Sequence, residues 1–424
     1  MNYQRIWKLA LILLAIAVEP LALVGQQLGD QPLLVHLAQE DIDAGRTSFE
    51  QIFTRGAIDF GASFNKLDGF GDPRRAESFN RRTGPDSQSC FECHNRPALG
   101  GAGGAIASII LGNVRNPRSV LGDGVLQRLG EEMTADLQAI RDAALSEARS
   151  TGHSVTRDLI TKDVNFGEIA AAPSGRVITN RVQGVDSDLV VKPFGWKGDR
   201  RTLRDFALFS TAFHHGMQAV ERVGRNVDAD GDGVVNELTE GDVTALTIWM
   251  AFTPIPQEIT SDNPAIAAAV ASGEQLFTTI GCANCHRPNL TIQDPVFREP
   301  SPLDKTKVFA RDLTDPRFAG PVNRIAPRPE RTPQGGALAH IYSDLKRHTM
   351  GPGLAEHGNS IFMSAPLWGV SQTGPWLHDG RATTLKEAIL AHGGEAQEAR
   401  DSFANLPAGQ QDEVVEFLKS LVAK

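Results

Sequence analysis

Apolar positions fall into a few distinct patterns along this chain. A continuous run, Leu9 to Val18, follows Arg5 and Lys8; Glu19 and Pro20 interrupt it before Leu21 to Val24. A basic flank ahead of a short apolar core is the layout of a secretory signal, with cleavage expected after Gly25. The stretch is short for a spanning helix, which takes about 20 apolar residues, so an uncleaved membrane anchor is the competing reading. Both readings put the rest of the chain outside the cytoplasm. Leu126, Leu129, Leu137 and Ile140 recur at i, i+3/i+4 spacing and predict one long surface helix over residues 125–150. Gly273 to Phe277 reads as a helix with Leu276 and Phe277 turned inward, and Gln411 to Leu421 as a terminal amphipathic helix. Residues 291–338 are rich in proline and charge and read as a long loop over the C-terminal domain.

All four cysteines lie in two copies of C-x-x-C-H, Cys90/Cys93/His94 and Cys282/Cys285/His286. Two thiols one turn apart add across the two vinyl groups of a haem, and the adjacent imidazole falls beneath the iron as proximal ligand. Zinc ribbons place their paired C-x-x-C hooks about 15–20 residues apart, far closer than these two. A redox dithiol does not need a histidine after both copies, and an exported protein would leave free thiols oxidised. Two covalently attached c-type haems are the expected cofactors. The glycine-rich Leu99 to Gly104 then predicts backbone passing close to the first haem edge.

A short internal repeat accompanies them. Gly195-Trp196-Lys-Gly198 … Thr202-Leu203 parallels Leu377-His378-Asp-Gly380 … Thr384-Leu385, one copy after each attachment motif. It predicts a duplicated haem module: motif, loop, glycine turn, then a helix opening at threonine. The expected fold is mainly α, two cytochrome c-like modules with long loop insertions. The boundaries are 1–25 for the signal or anchor, 26–265 for the first module and 266–424 for the second. A net charge of −9 argues against nucleic acid and against a polybasic membrane contact.

Ala365-Pro-Leu-Trp-Gly369, Leu377-His-Asp-Gly-Arg381, Leu385 to Ile389 and His392-Gly-Gly-Glu-Ala396 together resemble the di-haem oxidoreductase family, which also carries a thiol oxidoreductase label. That family is related to bacterial di-haem cytochrome c peroxidases and to the methylamine-utilisation di-haem enzyme. Tyr342 to Leu345, His348 to Gly351, Gly195 to Lys197 and the Asp-Gly-Asp-Gly stretch at 230–233 extend the resemblance, which runs from about Arg82 to the C-terminus. It implies a distal ligand of the second haem at His392, opposite His286, with Met350 and Met363 as alternatives. Tyr342, the single tyrosine of the mature region, is not expected to ligate. The matching place in the first copy is Ser210, which does not bind iron; His214, His215 or Met217 is each able to close that sixth site. The catalytic acid of the related peroxidases falls on Gly216 here, which leaves His215, Gln218 and Glu221 as candidate catalytic residues. Trp196 stands where relatives carry an aromatic between the haems; a core tryptophan against porphyrin fits the residue equally.

Asp228, Asp230 and Asp232 alternate ahead of Gly233, as carboxylates do in a calcium loop. The carbonyl of Val234 and the side chains of Asn236 and Glu237 are expected to complete the oxygen shell, since Thr239 occupies the place where an EF-hand carries glutamate. The leading expectation is an exported, periplasmic oxidoreductase of the peroxidase superfamily. Electrons would enter at a bis-histidine C-terminal haem, and chemistry would occur at the N-terminal one. A small redox protein or a quinol-linked donor or acceptor is the expected partner. The competing expectation is a plain electron carrier or redox subunit with both irons six-coordinate. Thiol oxidoreduction finds no residue, because no cysteine remains outside the haem motifs.

Overall fold

The computed structural model describes residues 31–72, 86–103, 107–109, 113–315 and 327–423. The apolar N-terminal run lies outside them. No helix among the described residues is long and apolar enough to cross a membrane.

Each half is built on a pair of helices that cross at a glycine. Phe49–Gly61 opens on a capping box between Ser48 and Gln51. It lies against Glu240–Phe252, a helix whose thirteen residues are all buried. At Gly56 a Cβ would stand 2.1 Å from the carbonyl oxygen of Ala245, a spacing that only glycine admits. In the C-terminal half Pro264–Thr279 crosses Ala408–Ser420, and a Cβ on Gly273 would stand 2.0 Å from the Glu413 carbonyl. Phe277, Tyr342 and Phe417 close a small core there, with ring centroids 5.2–6.3 Å apart.

Helices take up 39% of the chain and strands 17%, so the helical reading holds while sheet was underread. The helix expected over 125–150 spans Asp123–Thr151. It is not a surface helix: Leu126, Leu129 and Leu137 are at most 1% exposed and form the spine of the larger core. Beneath it lies an antiparallel sheet of Val155–Thr161, Val164–Ala171 and Val177–Val182. The stretch 291–338 is not one long loop. Val296–Pro300 pairs antiparallel with Val308–Asp312, and Leu290–Ile292 pairs with Ala337–Ala339. Phe297 and Glu299 point inward while Arg298 and Pro300 face out. The outward proline and charge hid a period-2 pattern whose buried half joins the larger core. That core therefore takes residues from both sides of the expected boundary at 265/266.

The internal repeat is a repeat of backbone. Phe194 bridges Arg200, and Trp376 bridges Ala382 at the same interval along the chain. Gly195 and Leu377 hold φ of 78° and 70°. Thr202 caps Leu203–Ser210 by accepting from the Asp205 N–H, and Thr384 caps Leu385–Leu390 by accepting from the Glu387 N–H.

Candidate functional site

The two attachment motifs adopt the same local form. Cys90–Cys93 is a single helical turn capped by Ser89, and the His94 N–H bonds the Cys90 carbonyl at 2.9 Å. Cys282–Asn284 is a 3-10 turn, and the His286 N–H bonds the Cys282 carbonyl at 3.0 Å. Each histidine then presents Nδ1 to a backbone carbonyl, Gly101 in the first site and Tyr342 in the second, both at 3.1 Å. A ring that donates through Nδ1 keeps an unprotonated Nε2, the tautomer that ligates metals. Burial pushes both imidazoles down to about 4, so they are neutral. Burial likewise pushes the Cys90 thiol up to about 12 and the Cys282 thiol up to about 11. The glycine-rich segment after the first motif thus holds His94 through Gly101.

Each motif forms one wall of a cavity, about 340 Å³ at the first site and about 520 Å³ at the second. These are sizes typical of cofactor pockets. His392 lies across the second cavity, with its ring centroid 6.3 Å from that of His286. Its Nδ1 donates to the Ala388 carbonyl at 2.7 Å, the end of the helix that Thr384 caps. Met350 and Met363 line the same cavity. Tyr342 does not: its hydroxyl donates to Glu258 at 2.9 Å. His348, unremarked as a site residue in the sequence, sits beside Cys285 with Nε2 on Asp344 and Nδ1 on Glu395, both at 2.9 Å. Burial opposes its charge, but Asp344 and the free thiol of Cys285 outweigh that and raise it to about 11.

The first cavity is furnished differently. Ser210 lines it where the second site has His392. Among the described residues the ring partner of His94 is Phe60 at 5.8 Å, not an imidazole. After Ser210 the backbone widens into a π-helical turn, Thr211–His215, which carries two histidines to the cavity. His215 donates Nδ1–H to the Ser87 carbonyl at 2.8 Å and turns Nε2 toward Cys90 Sγ at 3.5 Å. His214 has its Nδ1 on the Asp86 carboxylate, 2.9 and 3.1 Å from the two oxygens. Asp86 is the partner that sequence reading missed, and no local signal marks it. Of the other candidates, Glu221 pairs with Arg204 at 2.6 Å and Gln218 faces the acidic loop, both off the cavity lining. Met217 is fully buried and off the lining as well.

One strip of chain, Asn116–Ser119, lines both cavities together with Trp196. The indole Nε1–H donates to the Asn116 carbonyl at 2.7 Å, and the Asn116 N–H donates to the His378 carbonyl at 2.7 Å. The equivalent positions of the repeat, Trp196 and His378, lie 6.5 Å apart edge to face.

Residues 333–421 match the family model described as "Di-haem oxidoreductase, putative peroxidase". The likeness to that family model is confined to this segment. It contains His348, His378 and His392, three of the four histidines facing the second cavity, and the stretch 365–396 that carries the resemblance; His286 lies ahead of it. The enzyme class is oxidoreductase of the peroxidase-like type, and haem is the cofactor of the family. Among solved structures the chain is similar to hydrazine synthase of Kuenenia stuttgartiensis, at 13% identity and a TM-score of 0.41, over 93% of this chain and 97% of that one. It is also similar to a MauG-like protein associated with microbial copper homeostasis, at 14% identity and a TM-score of 0.29, over 59% of this chain and 76% of that one. No curated protein matches.

Proposed function

We propose that this chain is an exported c-type di-haem oxidoreductase with chemistry at the N-terminal site and electron entry at the C-terminal one. Bound haem would supply a redox-active iron at each site. In this reading Cys90, Cys93, Cys282 and Cys285 carry the thioether links, while His94 and His286 are the proximal ligands. His392 is the distal ligand of the second site. The observation that carries the reading is the difference between the cavities. Two imidazoles on opposite sides of one metal, each with its nitrogen about 2 Å from it, have centroids spaced much as those of His286 and His392 are, 6.3 Å. Among the described residues no imidazole ring stands against that of His94 as His392 stands against His286, and in this reading that face of the first cavity is left to a substrate oxygen.

His214 is the group that handles protons there. Asp86 accepts from its Nδ1–H, so Nε2 is the basic atom, able to take a proton from a bound peroxide and return it to the departing oxygen. It stands in for the acid that Gly216 does not supply. Trp196, on the wall common to both cavities, supports electron passage between the sites. The expected electron partner is a small redox protein or a quinol-linked carrier, met in the periplasm or at the outer face of the membrane. His214 also favours a second reading, in which it closes the first site and the protein only carries electrons.

Low-temperature EPR of the oxidised, fully loaded protein separates the two, before and after hydrogen peroxide and again after half-reduction. A high-spin ferric signal that peroxide consumes supports the enzyme. Two low-spin signals indifferent to peroxide, half-reduced protein included, make it an electron carrier.

A further inference from the structure

Between Val220–Val223 and Glu240–Phe252 the chain makes a compact acidic turn. Carboxylate oxygens of Asp228, Asp230 and Asp232 lie within 4.8 Å of one another despite their like charge. Asp228 accepts from the N–H groups of Gly231 and Gly233, at 2.7 and 3.1 Å, and Asp232 from that of Val234 at 2.8 Å. Those bonds shape the loop without neutralising it. Asp230 is the telling residue: it is 6% exposed, and neither carboxylate oxygen meets a donor in full hydrogen-bond geometry, the Gln218 amide and the Asp232 N–H lying close by without closing a bond. A buried carboxylate with no partner is costly, and ordinarily an ion or a donor relieves it.

Two more oxygen donors stand next to the turn, outside the group of three converging aspartates. The amide of Gln218 lies beside Asp230, near enough to help hold its carboxylate charged, yet its buried oxygen and nitrogen reach no partner in full hydrogen-bond geometry. Glu237 is 2% exposed; its Oε2 accepts from the Gln218 N–H at 2.7 Å, and its Oε1 makes no such bond. No lysine or arginine among the described residues pairs with any of these four carboxylates. Asn236, expected in the shell, is excluded, because its side chain is spent on both the N–H and the side chain of Asn226. Thr239, at the place of an EF-hand's glutamate, caps the next helix instead.

We propose that Asp228, Asp230, Asp232 and Glu237, with the amide oxygen of Gln218, form a binding site for one calcium ion. A set of hard oxygen donors with several carboxylates suits calcium, and a ligand drawn from outside the loop replaces the missing glutamate. Gln218 follows His214 and His215 closely in the chain, and Ala219 bridges Leu238 just beyond. The ion therefore ties the loop to the segment leading out of the first cavity. This site is independent of the haem reading.

The test is calorimetric titration of the full-length, haem-loaded, chelator-stripped protein with calcium chloride and with magnesium chloride, paired with thermal melts. One calcium ion per chain is expected, with magnesium weaker. Asp230→Asn is expected to weaken calcium by about tenfold or more and to abolish the calcium-induced rise in Tm. Gln218→Ala is expected to weaken it less, and it carries the comparison if Asp230→Asn does not fold. No heat and no Tm shift with the wild type would overturn the proposal. So would variants that bind as the wild type does, or magnesium bound as tightly as calcium.

Discussion

At the C-terminal site the helix capped by Thr384 ends at Leu390, and His392 just beyond it faces His286 across the cavity. At the N-terminal site the helix capped by Thr202 ends on Ser210, and the chain runs on through a π-helical turn. The scaffold is common to both: C-x-x-C-H turn, backbone carbonyl behind its histidine, glycine turn, capped helix. A single position, with the length of turn that follows it, separates a cavity spanned by two imidazoles from one that keeps its histidine at the side. Duplicated modules can thus diverge in chemistry while the supporting backbone stays unchanged. The polar neighbours diverge along with them. His348 is clamped between two carboxylates at the second site, whereas His214 at the first is held by one and leaves Nε2 for other work.

The strongest blow to this comparison is His214→Ala. If His214 moves protons at the first site, stopped-flow reaction with hydrogen peroxide should slow by about 10²–10⁴-fold, with both haems still attached by mass. Asp86→Asn, which only loosens the ring, should fall between that variant and the wild type. An unchanged rate in His214→Ala would leave the first cavity without a proton-handling group. Next in size is His348→Ala, which strands Asp344, 3% exposed at its side chain, without its partner. Loss of one member of a buried ion pair costs about 3–5 kcal/mol, to be read from the urea midpoint. The pH dependence has a definite sign. Asp344 holds His348 above its ordinary 6.5 even with Cys285 tied up in a thioether, so its contribution is complete below pH 6.5 and is lost as pH climbs through the raised value. Wild type and variant should therefore draw together in stability as the solution is made alkaline. The smallest change sharpens the comparison most: His392→Met should keep both haems attached and alter the ligand-field spectrum of one. A spectrum identical to the wild type would remove His392 as a ligand.

The sequence displayed what is local. The spacing of each C-x-x-C-H fixes thiols and imidazole within one turn, and the threonines that open the two repeat helices are caps that composition alone announces. It concealed what depends on distant chain. Asp86 and His214 are 128 positions apart, and nothing about an aspartate in a polar stretch marks it as the partner of a histidine in another element. Gln218 and Glu221 read alike as polar residues near the first site, yet a buried arginine captures one and the acidic loop the other. The strands within 291–338 escaped because their outward positions are proline and charge, so that only the buried alternate residues betray the period.

Asn116 gives the wall between the cavities a timing as well as a position. Its N–H and side-chain amide reach the carbonyls of Leu377 and His378, and its own carbonyl receives the Trp196 indole. A chain made from its N-terminus exposes the first attachment motif and Asn116 long before residues 377 and 378 exist. Until those two residues exist the strip at Asn116 lacks the carbonyls that hold it, so the wall of the first pocket is completed only by chain made near the end.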